Sequence, residues 1–119
     1  LSATGDVSAF SDYRLKSDIE PLSGSLDAVC KLQGVRYTRN SDGQKQIGFI
    51  AQDVKEVVPE LVLITEEPEQ EDGLKDVHSM KYGNTVALLV EAIKEQQEII
   101  EKLNARLSTL EEKQDGTSN

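Results

Sequence analysis

The last third of the chain carries its most regular hydrophobic pattern. With Val86 placed at a, the a positions are Val86, Ile93, Ile100 and Leu107, and the d positions are Leu89, Gln96, Leu103 and Leu110. Seven of these eight seam positions are apolar over four heptads, the pattern of a coiled coil. Gly83-Asn84 reads as a natural N-cap, and no Gly or Pro interrupts the run to Lys113. The pattern therefore predicts a helix over 84–113 and a disordered tail over 114–119. Such a helix rises about 45 Å at 1.5 Å per residue, too long for a small preceding domain to cover. Gln96, the one polar seam residue, needs a partner amide, and a symmetry-related Gln96 is the simplest one. Val90 at e and Ile99 at g widen the seam, and the a positions mix Ile with Leu, so three helices fit better than two. Arg106 at g and Glu111 at the following e are placed to pair between chains, worth about 0.2–1 kcal/mol at a surface. The alternative is a single amphipathic helix folded back on its own domain.

Upstream, the elements are short. Pro21 breaks the chain before "SGSLDAVCKL", where Ser25 is placed as an N-cap and Leu26, Val29, Cys30 and Leu32 share one face of a short helix ended by Gly34. Cys30 on that face reads as a small core residue. "VRYTR" alternates as a strand, "NSDG" is a turn, and "QKQIGFIA" is the returning strand of a hairpin. A helix over 51–57 should stop before Pro59. "LVLIT" (61–65) reads as a buried strand, "EEPEQEDG" (66–73) as a solvated acidic loop, and "LKDVHSMKY" as a further short strand. Together these make an α+β protein: a small domain of short helices and hairpin strands over 11–83, then the coiled-coil helix. Residues 1–10 read as the end of an upstream segment.

Composition narrows the function classes. Hydrophobic residues make up 37% of the 119 positions, with no Trp and two Phe, thin for a self-sufficient globule of this length. Part of the apolar surface is therefore expected to be covered by other chains. Thirteen basic residues against 22 acidic ones give a net charge of −9, which argues against nucleic-acid and anionic-membrane partners. No 18-residue apolar run and no signal-peptide pattern is present. One Cys and one His, Cys30 and His78, are too few for a thiolate or imidazole metal site. No metal and no cofactor are expected.

The chemistry-bearing stretch is "SAFSDYRLKSDIEPL", residues 8–22. A serine hydroxyl becomes a nucleophile when a base takes its proton, and a neutral lysine amine can serve. Ser11 and Lys16 lie five apart, so a bend would let their side chains meet whereas a straight strand would separate them. A serine within five residues of a lysine is common, and the spacing alone does not select catalysis. A Ser11/Asp12/His78 triad would need His78 folded onto this segment, which nothing in the sequence requires.

"SDYRLKSDIEPL", "LDAVCKLQGVRYT", "IGFIAQDVKEVVPELV" and "YGNTVALLVEAIKEQQ", in this order over residues 11–103, resemble the intramolecular chaperone auto-processing domain. That domain occupies the C-terminus of phage tailspikes and tail fibres, endosialidases among them, and a related form occurs in a membrane-bound eukaryotic transcription factor. The resemblance implies a homotrimer that helps an upstream fibre of the same chain to fold in register and then cuts itself off, with no cofactor. It places the cleaved bond at Phe10–Ser11, the nucleophile at Ser11 and the general base at Lys16. Asp12 and Arg14 would shape and charge-balance the site. It also implies assembly in the host cytoplasm, an upstream fibre on the virion and release of this domain. With ten residues ahead of Ser11, the chain reads as a precursor, a slow or inactive form, or a piece without the upstream fibre that triggers cutting. Two other readings stand beside self-cleavage: a trimerisation module that stays attached, and a coiled-coil adaptor that binds another protein through its acidic surface.

Overall fold

The computed structural model describes residues 8–66 and 73–117. Three helices and two separate antiparallel hairpins follow one another as α1 (Ser25–Lys31), β1 (Val35–Thr38), β2 (Lys45–Gly48), α2 (Ala51–Val57), β3 (Val62–Thr65), β4 (Val77–Met80) and α3 (Tyr82–Thr117). The class is the α+β expected. Short 3-10 turns at Tyr13–Leu15 and Pro59–Leu61 complete it.

The β1–β2 hairpin pairs Val35 with Gly48 and Thr38 with Lys45. Its turn closes through Arg39 and Gln44, and the Asp42 carboxylate accepts the Gln44 N–H at 3.0 Å while Gly43 takes φ 69°. α2 runs over the predicted 51–57 and ends because Val58, ahead of Pro59, adopts a non-helical backbone. The chain then passes through the buried Leu61 into β3, which pairs with β4 from Val62–Met80 to Thr65–Val77.

The core is small. Val54 of α2, Leu61 and Leu88 of α3 form its buried centre, and Ala28, Val29 and Leu32 of α1, with Phe49, Val58, Val62 and Met80, pack around it. Ala51 and Ala92 are also buried. α3 therefore serves two surfaces. Thr85, Leu88, Ala92 and Glu95 lie on the face applied to the body, whereas Val86, Leu89, Ile93, Ile100, Leu103, Leu107 and Leu110 remain exposed on the neighbouring face. At 100° per residue these two stripes are roughly a quarter-turn apart.

The structure corrects several local expectations. Gly24, in the left-handed region at φ 66°, occupies the N-cap of α1, and Ser25 is its first helical residue. Cys30 is exposed, because Ala28, Val29 and Leu32 make the contact with the core. α3 begins at Tyr82, so Gly83 and Asn84 lie in its first turn; the Asn84 N–H donates to the Lys81 carbonyl at 3.1 Å. It extends past Lys113 into the stretch read as tail, and residues 118–119 lie outside the described residues. β3 is not buried, since Leu63 and Ile64 are both exposed. Most of the acidic loop, residues 67–72, and most of the leader, residues 1–7, lie outside the described residues.

Candidate functional site

The stretch around Ser11 is built from local bonds. Asp12 starts a 3-10 turn: its Oδ1 accepts the Arg14 backbone N–H at 2.9 Å, and its carbonyl accepts the Leu15 N–H at 3.0 Å. Short Asp side chains commonly start turns this way, by bonding an amide two residues on. The Lys16 N–H then closes the turn on the Tyr13 carbonyl at 3.1 Å. This turn supplies the bend that a spacing of five requires. Lys16 Nζ lies 2.7 Å from Ser11 Oγ and donates to it.

Arg14 folds over the outside of the same turn. Its Nε donates to Asp12 Oδ1 at 3.0 Å and its Nη2 to Oδ2 at 2.7 Å, a two-point guanidinium–carboxylate pair. The Arg14 side chain is the main cause, and its backbone N–H the second, that hold the Asp12 carboxyl below the ordinary aspartate value. The pair holds the Arg14 guanidinium above its own ordinary value in return. Asp12 and Arg14 thus bond each other and brace the turn, and neither bonds the Ser11 hydroxyl or the Lys16 amine among the described hydrogen bonds.

Residues 8–24 are exposed along their whole length. Phe10 is 96% exposed, and Tyr13, Leu15 and Ile19 each exceed two thirds. One chain by itself therefore leaves the Ser11–Lys16 pair in water. His78 sits on β4, its Nδ1 2.7 Å from the Asp76 carbonyl oxygen, and no described hydrogen bond joins it to Ser11 or Asp12. Among the described residues no group of three His, Cys, Asp or Glu is placed to hold a metal ion, and no helix is long and apolar enough to cross a membrane.

One long-range contact escaped the sequence reading. The Glu95 carboxylate, from the middle of α3, accepts the Ser25 N–H at 2.8 Å and the Leu26 N–H at 3.4 Å, so it caps α1 from seventy residues away. Its signal was weak: Glu95 falls three residues after Ala92 and seven after Leu88 on the body-facing stripe, where a polar residue passes for solvent-exposed.

Residues 11–63 match the family described as the chaperone of endosialidase. The long tail fiber protein Gp37 of Salmonella phage S16 is 32% identical over 115 residues, covering 90% of this chain and 15% of that protein. The Gp37 of Enterobacteria phage K3 is 36% identical over 108 residues, covering 87% of this chain and 8% of that protein. The chain thus corresponds to a small part of these fibre proteins. A crystal structure described as a novel intramolecular chaperone superposes with a TM-score of 0.51 at 21% identity, over 74% of this chain and 98% of its own, which makes the fold a shared one.

Proposed function

From the match of residues 11–63 to the chaperone-of-endosialidase family, we propose that this chain is the intramolecular chaperone of a phage tail fibre, that it trimerises, and that it releases itself by cutting Phe10–Ser11. The observation that carries the reading is the 2.7 Å contact of Lys16 Nζ with Ser11 Oγ. The partner is the fibre segment upstream in the same chain, and the setting is virion assembly in the host. The similarity to long tail fiber proteins supports both.

In the proposed reaction the neutral Lys16 amine takes the Ser11 hydroxyl proton as Oγ attacks the Phe10 carbonyl carbon. The C–N bond to Ser11 breaks, and the Lys16 ammonium returns its proton to the departing Ser11 nitrogen. Phe10 is then esterified to Ser11 Oγ. Water hydrolyses the ester, leaving a Phe10 carboxylate and a new chain beginning at Ser11. Asp12 and Arg14 hold the turn that sets the two side chains together.

A lysine amine sheds its proton near neutral pH only when desolvated or crowded by cations. In a single chain the whole segment is exposed, and Arg14 is paired with Asp12. Assembly supplies the missing cover in this reading: three copies joined along Val86, Leu89, Ile93, Gln96, Ile100, Leu103, Leu107 and Leu110 bring neighbouring surfaces to Phe10, Tyr13 and Leu15. Cutting then follows trimerisation.

The test is to express the chain with an upstream fibre segment and weigh the products. A fragment beginning at Ser11, absent from Ser11→Ala and Lys16→Ala, is expected. Cutting by Lys16→Ala at the wild-type rate would remove the dyad. The exposure of Ser11 and Lys16 favours one second reading, a trimerisation module retained on the fibre, which expects an intact trimer over days at neutral pH.

A further inference from the structure

We infer that Glu95 is a positioning residue: from the coiled-coil helix it clamps the start of α1 and so fixes where the Ser11–Lys16 segment leaves the body. α1 has seven residues, too few to hold themselves in a helix. Its N-cap is Gly24, which offers no side chain to the free amides behind it. The bonds come instead from α3, through both oxygens of Glu95. Ser25, the residue they hold, is 1% exposed, while every residue from 8 to 24 is exposed. Ser25 is therefore the first buried point after the site among the described residues. Lys16 lies nine positions before it, a tether of at most about 30 Å.

The place of the clamp gives it a consequence. Glu95 lies between seam residues Ile93 and Gln96 in sequence, but on the adjacent, body-facing side of α3. Joining the seams of several copies therefore fixes the origin of each segment relative to the common axis. A segment released from the clamp would keep its internal turn, since Asp12, Arg14 and Tyr13 bond within it, yet lose its place against neighbouring chains. The proposal rests on the self-cleavage reading and assigns Glu95 no contact with the reacting atoms.

The test uses the chain with its upstream fibre segment. Glu95→Ala is expected to keep the wild-type oligomeric state, to expose the Ser25 and Leu26 amides to hydrogen exchange, and to slow the appearance of the Ser11 fragment at least about tenfold. Glu95→Gln, which keeps an acceptor oxygen, should restore much of that rate. Val54→Ala, which weakens the core away from the clamp, serves as the control for general destabilisation. A Glu95→Ala chain that cuts at the wild-type rate, or a Val54→Ala chain of similar stability that is slowed as much, overturns the proposal. A wild type that never cuts defeats the self-cleavage reading instead, and the clamp is then judged by distance. Spin labels at Ser23→Cys and Lys102→Cys, in a Cys30→Ala background diluted with unlabelled chain, should report one narrow distance that broadens in Glu95→Ala. An unchanged distribution overturns it.

Discussion

Asp12 and Arg14, two residues apart, grip each other at two points, Nε–Oδ1 at 3.0 Å and Nη2–Oδ2 at 2.7 Å, on the outside of the turn that sets Lys16 against Ser11. Because Arg14 holds the Asp12 carboxyl below its ordinary value of 3.8, the contribution of this pair has a definite pH sense. It is complete above the ordinary value and is lost as pH falls through the lowered one. Titration followed by NMR should show Asp12 protonating below the ordinary aspartate value, with the Arg14 side-chain signal moving in step. An Asp12 titration at or above the ordinary value would contradict the pairing. Asp12→Asn keeps an acceptor for the Arg14 amide but loses the charge, so the turn should persist while the pH dependence disappears.

Gly48 and Tyr82 set the second prediction. A Cβ on Gly48 would meet the Tyr82 hydroxyl at 2.5 Å, and that ring is pinned because its oxygen accepts the Phe49 N–H at 3.2 Å. Gly48→Ala should cost about 1–3 kcal/mol through overpacking, read as a lower denaturant midpoint. Tyr82→Phe removes the clashing oxygen, so the double variant should be more stable than the sum of the singles requires. Strict additivity in that cycle would show that the two residues do not meet.

Much of the fold could be read from the sequence where one signal acted alone. "NSDG" between alternating runs gives the first hairpin, and Pro59 gives the end of α2. The second hairpin was missed as a pairing because the acidic stretch between β3 and β4 hides their register. The body-facing stripe of α3 was missed because Thr85, Ala92 and Glu95 are polar or small, and a stronger apolar stripe runs beside them. At the site, Ser11 and Lys16 were picked out by resemblance rather than spacing. The turn that brings them together was nonetheless written in Asp12, whose side chain bonds the amide of Arg14.

In the proposed trimer the two stripes of α3 would have separate tasks, one in folding and one in assembly. Ile93 is 64% exposed in the single chain and Leu88 is 6% exposed. Ile93→Asp with Ile100→Asp would bury charge without partners only if the seam is an interface. Sedimentation should then find a smaller species whose helical circular dichroism from the body persists. Leu88→Ala should instead cost about 2–5 kcal/mol of folding stability and leave the seam residues intact. An unchanged oligomer in the double aspartate variant would remove the heptad assignment.

Ser25 gives a prediction of opposite sign. Its side chain is 1% exposed, and its hydroxyl has no hydrogen-bond partner among the described residues, whereas its backbone N–H is held by Glu95 at 2.8 Å. The amide carries the clamp and the hydroxyl contributes nothing to it. A buried, unpaired hydroxyl costs about 1–3 kcal/mol. Ser25→Ala should therefore leave stability unchanged or raise it by up to that amount, with the Leu26 amide as protected as in the wild type. A fall in the denaturant midpoint would mean that the hydroxyl is bonded after all, and that Glu95 holds this corner through the side chain as well as the amide.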